Sequence, residues 1–208
     1  MEIKDHLIKG IKFLKSPNFN NRPFEEEIKL IIIHSISLPP KIYGNSYVED
    51  FFMNKLNISD HDYFNEIKDL KVSSHIYIKR DGEIIQFVPF NKRAWHAGES
   101  SYMDEPDCNN YSIGIELEGS HEDIFSEEQY NSLIFATQKI LKEYPMIKKD
   151  NITGHSNVAP ERKTDPGKNF EWDRYLGSLW KIKILTNMSR LVFTGLLQVC
   201  HMYLYSSL

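Results

Sequence analysis

Leu30-Ile31-Ile32-Ile33-His34 is the stretch from which the architecture of this chain can be read. Four apolar residues in a row, three of them β-branched, predict a short strand covered on both faces, as an inner strand of a helix-flanked sheet is. The run ends at a histidine, so an imidazole is expected at the end of a central strand. Pro39-Pro40 and Gly44 then force a loop. Further along, Val48, Phe51, Phe52 and Leu56 recur at helical spacing and predict a short amphipathic helix. Ser74 to Lys79 and Glu83 to Val88 are two strand-like runs flanking Arg80-Asp81-Gly82, and an Asp-Gly pair in that position predicts a hairpin.

Ser112-Ile113-Gly114-Ile115-Glu116-Leu117 alternates small or polar residues with apolar ones, which predicts a strand with one buried face. Ser126 and Gln129 form a Ser-x-x-Gln capping box. Behind it Tyr130, Leu133, Ile134, Thr137, Ile140, Leu141 and Tyr144 trace a helical stripe as far as Pro145. Asn151-Ile152-Thr153 leads into Gly154-His155, and Asp165-Pro166-Gly167 makes a stop before a last helix near Trp172. These elements together predict an α/β fold, a single domain with a central mixed β-sheet flanked by helices.

Bulk properties narrow the class. A chain of 208 residues suits one well-buried core with extensions. A net charge of −4, with the two signs interleaved, argues against a nucleic-acid partner. Lys4, Asp5, Lys9, Lys12 and Lys15 interrupt the apolar runs of the first twenty residues, so no export signal is read there. The two cysteines, Cys108 and Cys200, make no disulfide framework and no CxxC pair. A reducing, cytoplasmic setting is the expectation. The stretch from 183 to 208 differs in texture: Leu191-Val192-Phe193, Leu196-Leu197 and Val199 are strongly apolar, broken by Arg190, Gln198 and His201. It borders on a membrane-span candidate. A peripheral or poorly ordered extension is expected instead, with the catalytic domain in 1–182 and no stable membrane span. No obligate protein partner is visible.

Eight histidines invite a search for a metal site. His34 ends a strand, His155 follows a glycine at the end of another, and Asp165 lies ten residues further beside a Pro-Gly turn. Those residue types suit a catalytic zinc site, which takes three protein ligands and leaves a fourth position open. Spacing alone does not decide the matter. Histidines at strand ends are common, an aspartate before Pro-Gly often just starts a turn, Glu116 reads equally as a solvated residue like Glu118, and Lys163 sits in a charged loop.

Longer blocks carry more. His34-Ser35-Ile36-Ser37-Leu38-Pro39-Pro40, Val72-Ser73-Ser74-His75, Lys92-Arg93-Ala94-Trp95-His96-Ala97-Gly98, Asn110 to Gly119, Thr153-Gly154-His155 and Ala159 to Gly167 occur in this order. Together they resemble the type-2 N-acetylmuramoyl-L-alanine amidases, in particular the cytoplasmic members that act on 1,6-anhydromuropeptides. The match runs from about Asn20 to Tyr175. The fold is shared with phage lysozyme-like amidases and peptidoglycan recognition proteins, and the resemblance implies a zinc cleft at the strand ends. It implies zinc held by His34, His155 and Asp165, with Glu116 as general base and Lys163 as stabiliser of the tetrahedral intermediate. The implied reaction is hydrolysis of the amide between a muramoyl lactyl group and L-alanine, in peptidoglycan recycling, with a small muropeptide as substrate. Those roles are physically sensible: zinc makes water acidic enough to lose a proton near pH 7, a carboxylate takes that proton, and an ammonium meets the developing oxyanion.

Substrate contacts are expected from Ser35, Trp95, His96 and Lys71. Trp95 reads either as a sugar platform or as core, and His75 as a structural residue or one behind the ligands. Two positions depart from the family pattern. Ser35 stands where asparagine is common, and Lys71 and Asp107 stand where arginines grip the peptide carboxylate. Lysine loses the bidentate fork of arginine, and aspartate cannot hold a carboxylate at all. The rival readings are a muropeptide-binding module that does not cut and an exported wall-lytic amidase. A module of that kind usually lacks one zinc ligand, and an exported enzyme would want a signal sequence or wall-binding repeats.

Overall fold

The structure is a computed structural model that describes residues 2–23 and 27–179. It divides into two units, Met1–Phe170 and Glu171–Leu208. In the second, a helix covers 172–179, close to the helix expected near Trp172. The expected extension at 183–208 lies outside the described residues.

Strands and helices of the first unit alternate along the chain. β1 (Ile3–Lys4) and β2 (Leu7–Ile8) form a small ribbon, followed by β3 (Lys12–Phe13), β4 (Phe19–Asn21) and the long β5 (Leu30–Ile36). Helices α1 (Tyr47–Phe52) and α2 (Phe64–Ile67) precede the hairpin of β6 (Ile76–Ile78) and β7 (Ile84–Gln86). β8 (Lys92–Ala94) pairs with β4, and β9 (Ser101–Tyr102) pairs with β10 (Glu105–Pro106). β11 (Ser112–Glu118), α3 (Glu127–Glu143), β12 (Ile152–Gly154) and the short α4 (His155–Val158) complete it. The main sheet has the order β12-β5-β11-β6-β7-β3. Its strands are parallel except for the antiparallel β6–β7 pair, so the mixed sheet is as expected.

β5 behaves as its composition dictates: Leu30 to Ile33 are fully buried, and the strand runs two residues beyond His34. β11 corrects the one-faced expectation. All seven of its residues are buried, because β5 and β6 flank it at the sheet centre. Ile113 and Ile115 fill one face, while Gly114, Glu116 and Glu118 point to the other, which is also covered. On that second face α1 packs Val48, Phe51 and Phe52 into a cluster with Tyr77, Ile85 and Phe87. α1 is shorter than its apolar spacing suggests. It stops at Met53, Asn54 takes φ 57°, and Leu56 packs against the cluster from outside the helix.

The Asp-Gly hairpin forms with Ile78 opposite Ile84, and Gly82 adopts φ 86°. A side chain there would press within 3.0 Å of the Glu128 carbonyl, so the turn also lies tight against α3. The capping box of α3 is complete: Ser126 Oγ accepts from Gln129 N, and the Gln129 side chain accepts from Ser126 N. Gln129 Nε2 also donates to the Glu118 carbonyl at 2.9 Å, which fastens the helix start to the end of β11.

Candidate active site

Sheet register assembles the site. Parallel pairing sets His34 beside Glu116 and Glu116 beside Tyr77, on the same side of the sheet. Gly154 pairs with Ile33, so His155, the first residue of α4, arrives next to His34. Asp165 comes from the loop after α4, where its backbone carbonyl accepts from Ser156 N at 2.9 Å.

The result is a triangle of ligand atoms. His34 Nδ1 and His155 Nδ1 are 2.9 Å apart, and Asp165 Oδ2 lies 3.2 Å from the first and 3.1 Å from the second. The hydrogen-bond network settles the tautomers. Nε2 of His155 donates to the Ala97 carbonyl at 3.0 Å, leaving Nδ1 with a bare lone pair. Ser112 spends its hydroxyl proton on the Cys108 carbonyl at 2.6 Å, so its Oγ can only accept from His96 Nε2 at 3.3 Å. His96 Nδ1 is then an acceptor for His34 Nε2 at 3.0 Å, and His34 Nδ1 is bare as well. Two lone pairs and a carboxylate oxygen face one another with no proton between them. Such a donor set could hold one metal ion.

Electrostatics support that charge state. Burial lowers the His34 pKa to about 4 against the raising effect of Asp165, so the ring is neutral at pH 7. Glu116 goes the other way. Burial pushes it well above the normal carboxylate range, the Asp165 charge adds to this, and Lys163 opposes it. Glu116 Oε1 stands 4.0 Å from His34 Nδ1, and Oε2 is buried without a partner among the described residues. A carboxyl with one unfilled oxygen and a raised pKa beside a ligand triangle is suited to receive and return a proton.

A cleft of about 460 Å³ opens over these atoms. Its lining joins polar residues, among them Glu116, His155, Lys163 and Asp165, to apolar ones, among them Phe51, Tyr63, Ile67, Leu70 and Trp95. Ser35 lines the cleft with a buried Oγ that has no partner among the described residues. Trp95 is half-buried on the cleft wall, with Nε1 donating to Asn20 Oδ1 at 2.8 Å. His96 reaches the lining too, but both its ring nitrogens are engaged, by His34 and Ser112. Lys71 is exposed and sits in a small neighbouring depression with Lys68 and Leu70, not in the cleft lining. Asp107 is exposed on a turn at φ 57°, also away from that lining. His75 is a buried structural residue: Nδ1 accepts from Gly114 N at 3.1 Å, and Nε2 meets the Lys92 carbonyl at 2.9 Å.

Three contributors escaped the sequence reading. Gly114 lets the His96 ring lie where a Cβ would sit 2.5 Å from its Cγ, so only glycine fits between the ring and β11. Asn109 Oδ1 accepts from the backbone N of both His96 and Ala97, at 3.1 and 2.8 Å. Arg162 donates to the Ala97 and Glu99 carbonyls, each at 2.7 Å, and so braces the same loop. A glycine among alternating strand residues was the one available signal; Asn109 and Arg162 offered none.

Comparison with known proteins agrees with this geometry. The family pattern described as N-acetylmuramoyl-L-alanine amidase matches residues 24–168. The chain is 48% identical over 178 residues to the 1,6-anhydro-N-acetylmuramyl-L-alanine amidase AmpD of Haemophilus influenzae, covering 86% of this chain and 97% of that one. A crystal structure of a selenomethionine AmpD derivative superposes with a TM-score of 0.83 at 43% identity, over 86% of this chain and 99% of the other. The amidase AmiD of E. coli, solved with the substrate anhydro-N-acetylmuramic acid-L-Ala-D-gamma-Glu-L-Lys, gives 0.54 at 30% identity, over 73% and 57%. Matched along most of its length and superposable on solved amidases, this chain belongs to the N-acetylmuramoyl-L-alanine amidase family.

Proposed function

We propose that the protein is a zinc-dependent amidase that hydrolyses the bond between the lactyl carbonyl of an N-acetyl-(1,6-anhydro)muramoyl group and L-alanine, acting on soluble muropeptides in cytoplasmic peptidoglycan recycling. The observation that carries this reading is the proton-free triangle of His34 Nδ1, His155 Nδ1 and Asp165 Oδ2 next to an unfilled Glu116 oxygen. Two imidazoles and a carboxylate are a familiar ligand set for catalytic zinc. Adjacent ligands of a tetrahedral zinc site stand about 3.3 Å apart for bonds of roughly 2.0–2.1 Å, and the triangle edges of 2.9–3.2 Å are close to that. The residues present therefore fit the ion, and His34, His155 and Asp165 would hold it.

When bound, zinc supplies Lewis acidity that polarises the amide carbonyl and makes water acidic enough to lose a proton near neutral pH. Glu116 takes that proton and returns it to the departing alanine nitrogen, which would otherwise leave as an unstable anion. Lys163 sets a positive charge on the cleft wall where the carbonyl oxygen becomes negative. The apolar lining residues, Trp95 among them, suit the ring and lactyl methyl of an anhydromuramoyl group, and the polar ones suit the peptide. Ser35, a lining residue of the cleft, is assigned to the substrate-binding surface. Lys71 is assigned as a positive charge beside Leu70, outside the cleft lining and weaker than a guanidinium fork. His96 acts on the substrate indirectly, through His34. The amidase domain is assigned to 1–182, with 183–208 as an extension, and among the described residues no helix is long and apolar enough to cross a membrane.

The test is turnover of soluble 1,6-anhydromuramoyl-tripeptide against intact cell-wall sacculi, with release of the peptide amine as readout. The reading expects cleavage of the soluble substrate, loss on chelation and recovery with added zinc. Cleavage of sacculi alone would make the protein a wall-lytic enzyme, and tight binding without cleavage would make it a recognition module.

A further inference from the structure

Both ligand imidazoles are held from behind by consecutive residues. The His96 ring receives Nε2–H of His34 at 3.0 Å, and the carbonyl of Ala97 receives Nε2–H of His155 at 3.0 Å. One carboxamide fixes this dipeptide: Asn109 Oδ1 accepts from the N–H of His96 and of Ala97 together. Asn109 is itself 5% exposed, and the buried Arg22 binds the carbonyls of Asn109, Asn110 and Ser112 at 2.7–3.0 Å, which locks the turn that carries it. Gly114 leaves the space into which the His96 ring fits.

We propose that Asn109 and His96 are positioning residues for the metal, an outer clamp through which a single side-chain amide orients both imidazole ligands at once. The proposal rests on the zinc reading above. A ligand histidine free to rotate must be ordered when the ion binds, and a ring whose second nitrogen loses its acceptor is also a poorer ligand. Because His96 and Ala97 are adjacent, their N–H groups can share one acceptor, and loosening Asn109 frees both supports together. The clamp also explains why His96 lines the cleft without a free ring nitrogen to offer a substrate.

Zinc affinity of the purified full-length protein, measured by competition with a chromophoric chelator, tests this. Asn109→Ala and His96→Leu are each expected to weaken zinc binding about 10–100-fold. His96→Gln, which keeps an oxygen acceptor for His34 Nε2–H, should stay within about threefold of wild type, since the bond to its partner is retained. Ser112→Ala removes only the far end of the chain of bonds and serves if the other variants fold poorly; it should lose affinity by a smaller factor. Circular dichroism of the metal-free variants checks that they fold. Wild-type affinity in Asn109→Ala and His96→Leu would overturn the clamp, as would a His96→Gln variant as weak as His96→Leu. A wild-type protein that takes up no zinc would instead remove the functional reading.

Discussion

Glu116 and Glu118 leave β11 on the same side, two residues apart, and both are buried, yet their surroundings differ. Glu118 is fully occupied: Oε1 accepts from Gly44 N at 2.6 Å and Oε2 from Arg80 N at 2.9 Å. It joins the loop before α1 to the hairpin turn, and Lys41–Glu122 and Tyr43–Asp123 pairs tie the same loop to the segment after β11. Glu116, one rung nearer the ligand triangle, has an oxygen with no partner among the described residues and a pKa pushed up by burial. One carboxylate holds loops in place, and the other is kept unfilled where a reaction needs a proton carrier. Burial alone does not distinguish these two acids; the filled oxygens of Glu118 and the open one of Glu116 beside the ligand triangle do.

Glu116→Gln should reduce amide cleavage about 10²–10⁴-fold, the usual worth of a general acid–base, while zinc binding persists. Turnover within a few-fold of wild type would erase the distinction between the two carboxylates. Glu118→Ala should mainly cost stability. The N–H groups of Gly44 and Arg80 lose their acceptor, and a buried unpaired donor costs about 1–3 kcal/mol, visible as a lower midpoint in urea, with cleavage reduced far less than in Glu116→Gln. If the orders of effect were reversed, the assignment would be too.

The smallest effect is in pH dependence. The folded-state pKa of Glu116 is raised, so its contribution is favourable below the unfolded value and is lost as pH rises through the folded one. Metal-free Glu116→Gln should therefore melt above the wild type at pH 8, with the gap closing as pH falls towards the ordinary carboxylate range. Thermal unfolding of both apoproteins from pH 8 to pH 5 measures it; a gap that does not change with pH would mean Glu116 is not the strained group.

Much of the frame was legible because its signals are local. A β-branched run, an Asp-Gly pair and a Ser-x-x-Gln box each act within a few residues, and β5, the β6–β7 hairpin and α3 formed where they stand. The double burial of β11 was not legible, since its neighbours come from residues 30–36 and 76–78 and alternation reports only residue types. In the site, the residue kinds at 34, 155 and 165 were readable, but their meeting depends on parallel register across β12, β5 and β11, and without the family resemblance spacing left it open. Asn109 was hidden for another reason. Its function is a pair of bonds to the backbone of residues 96 and 97, and such contacts leave no trace in residue type.

The central claim is that His34, His155 and Asp165 converge on one ion. X-ray absorption at the zinc edge of the reconstituted protein measures this directly. The account predicts two imidazole nitrogens and carboxylate or water oxygens at about 2.0–2.1 Å, with no sulfur. A spectrum showing thiolate scattering near 2.3 Å, or only one imidazole, would contradict it.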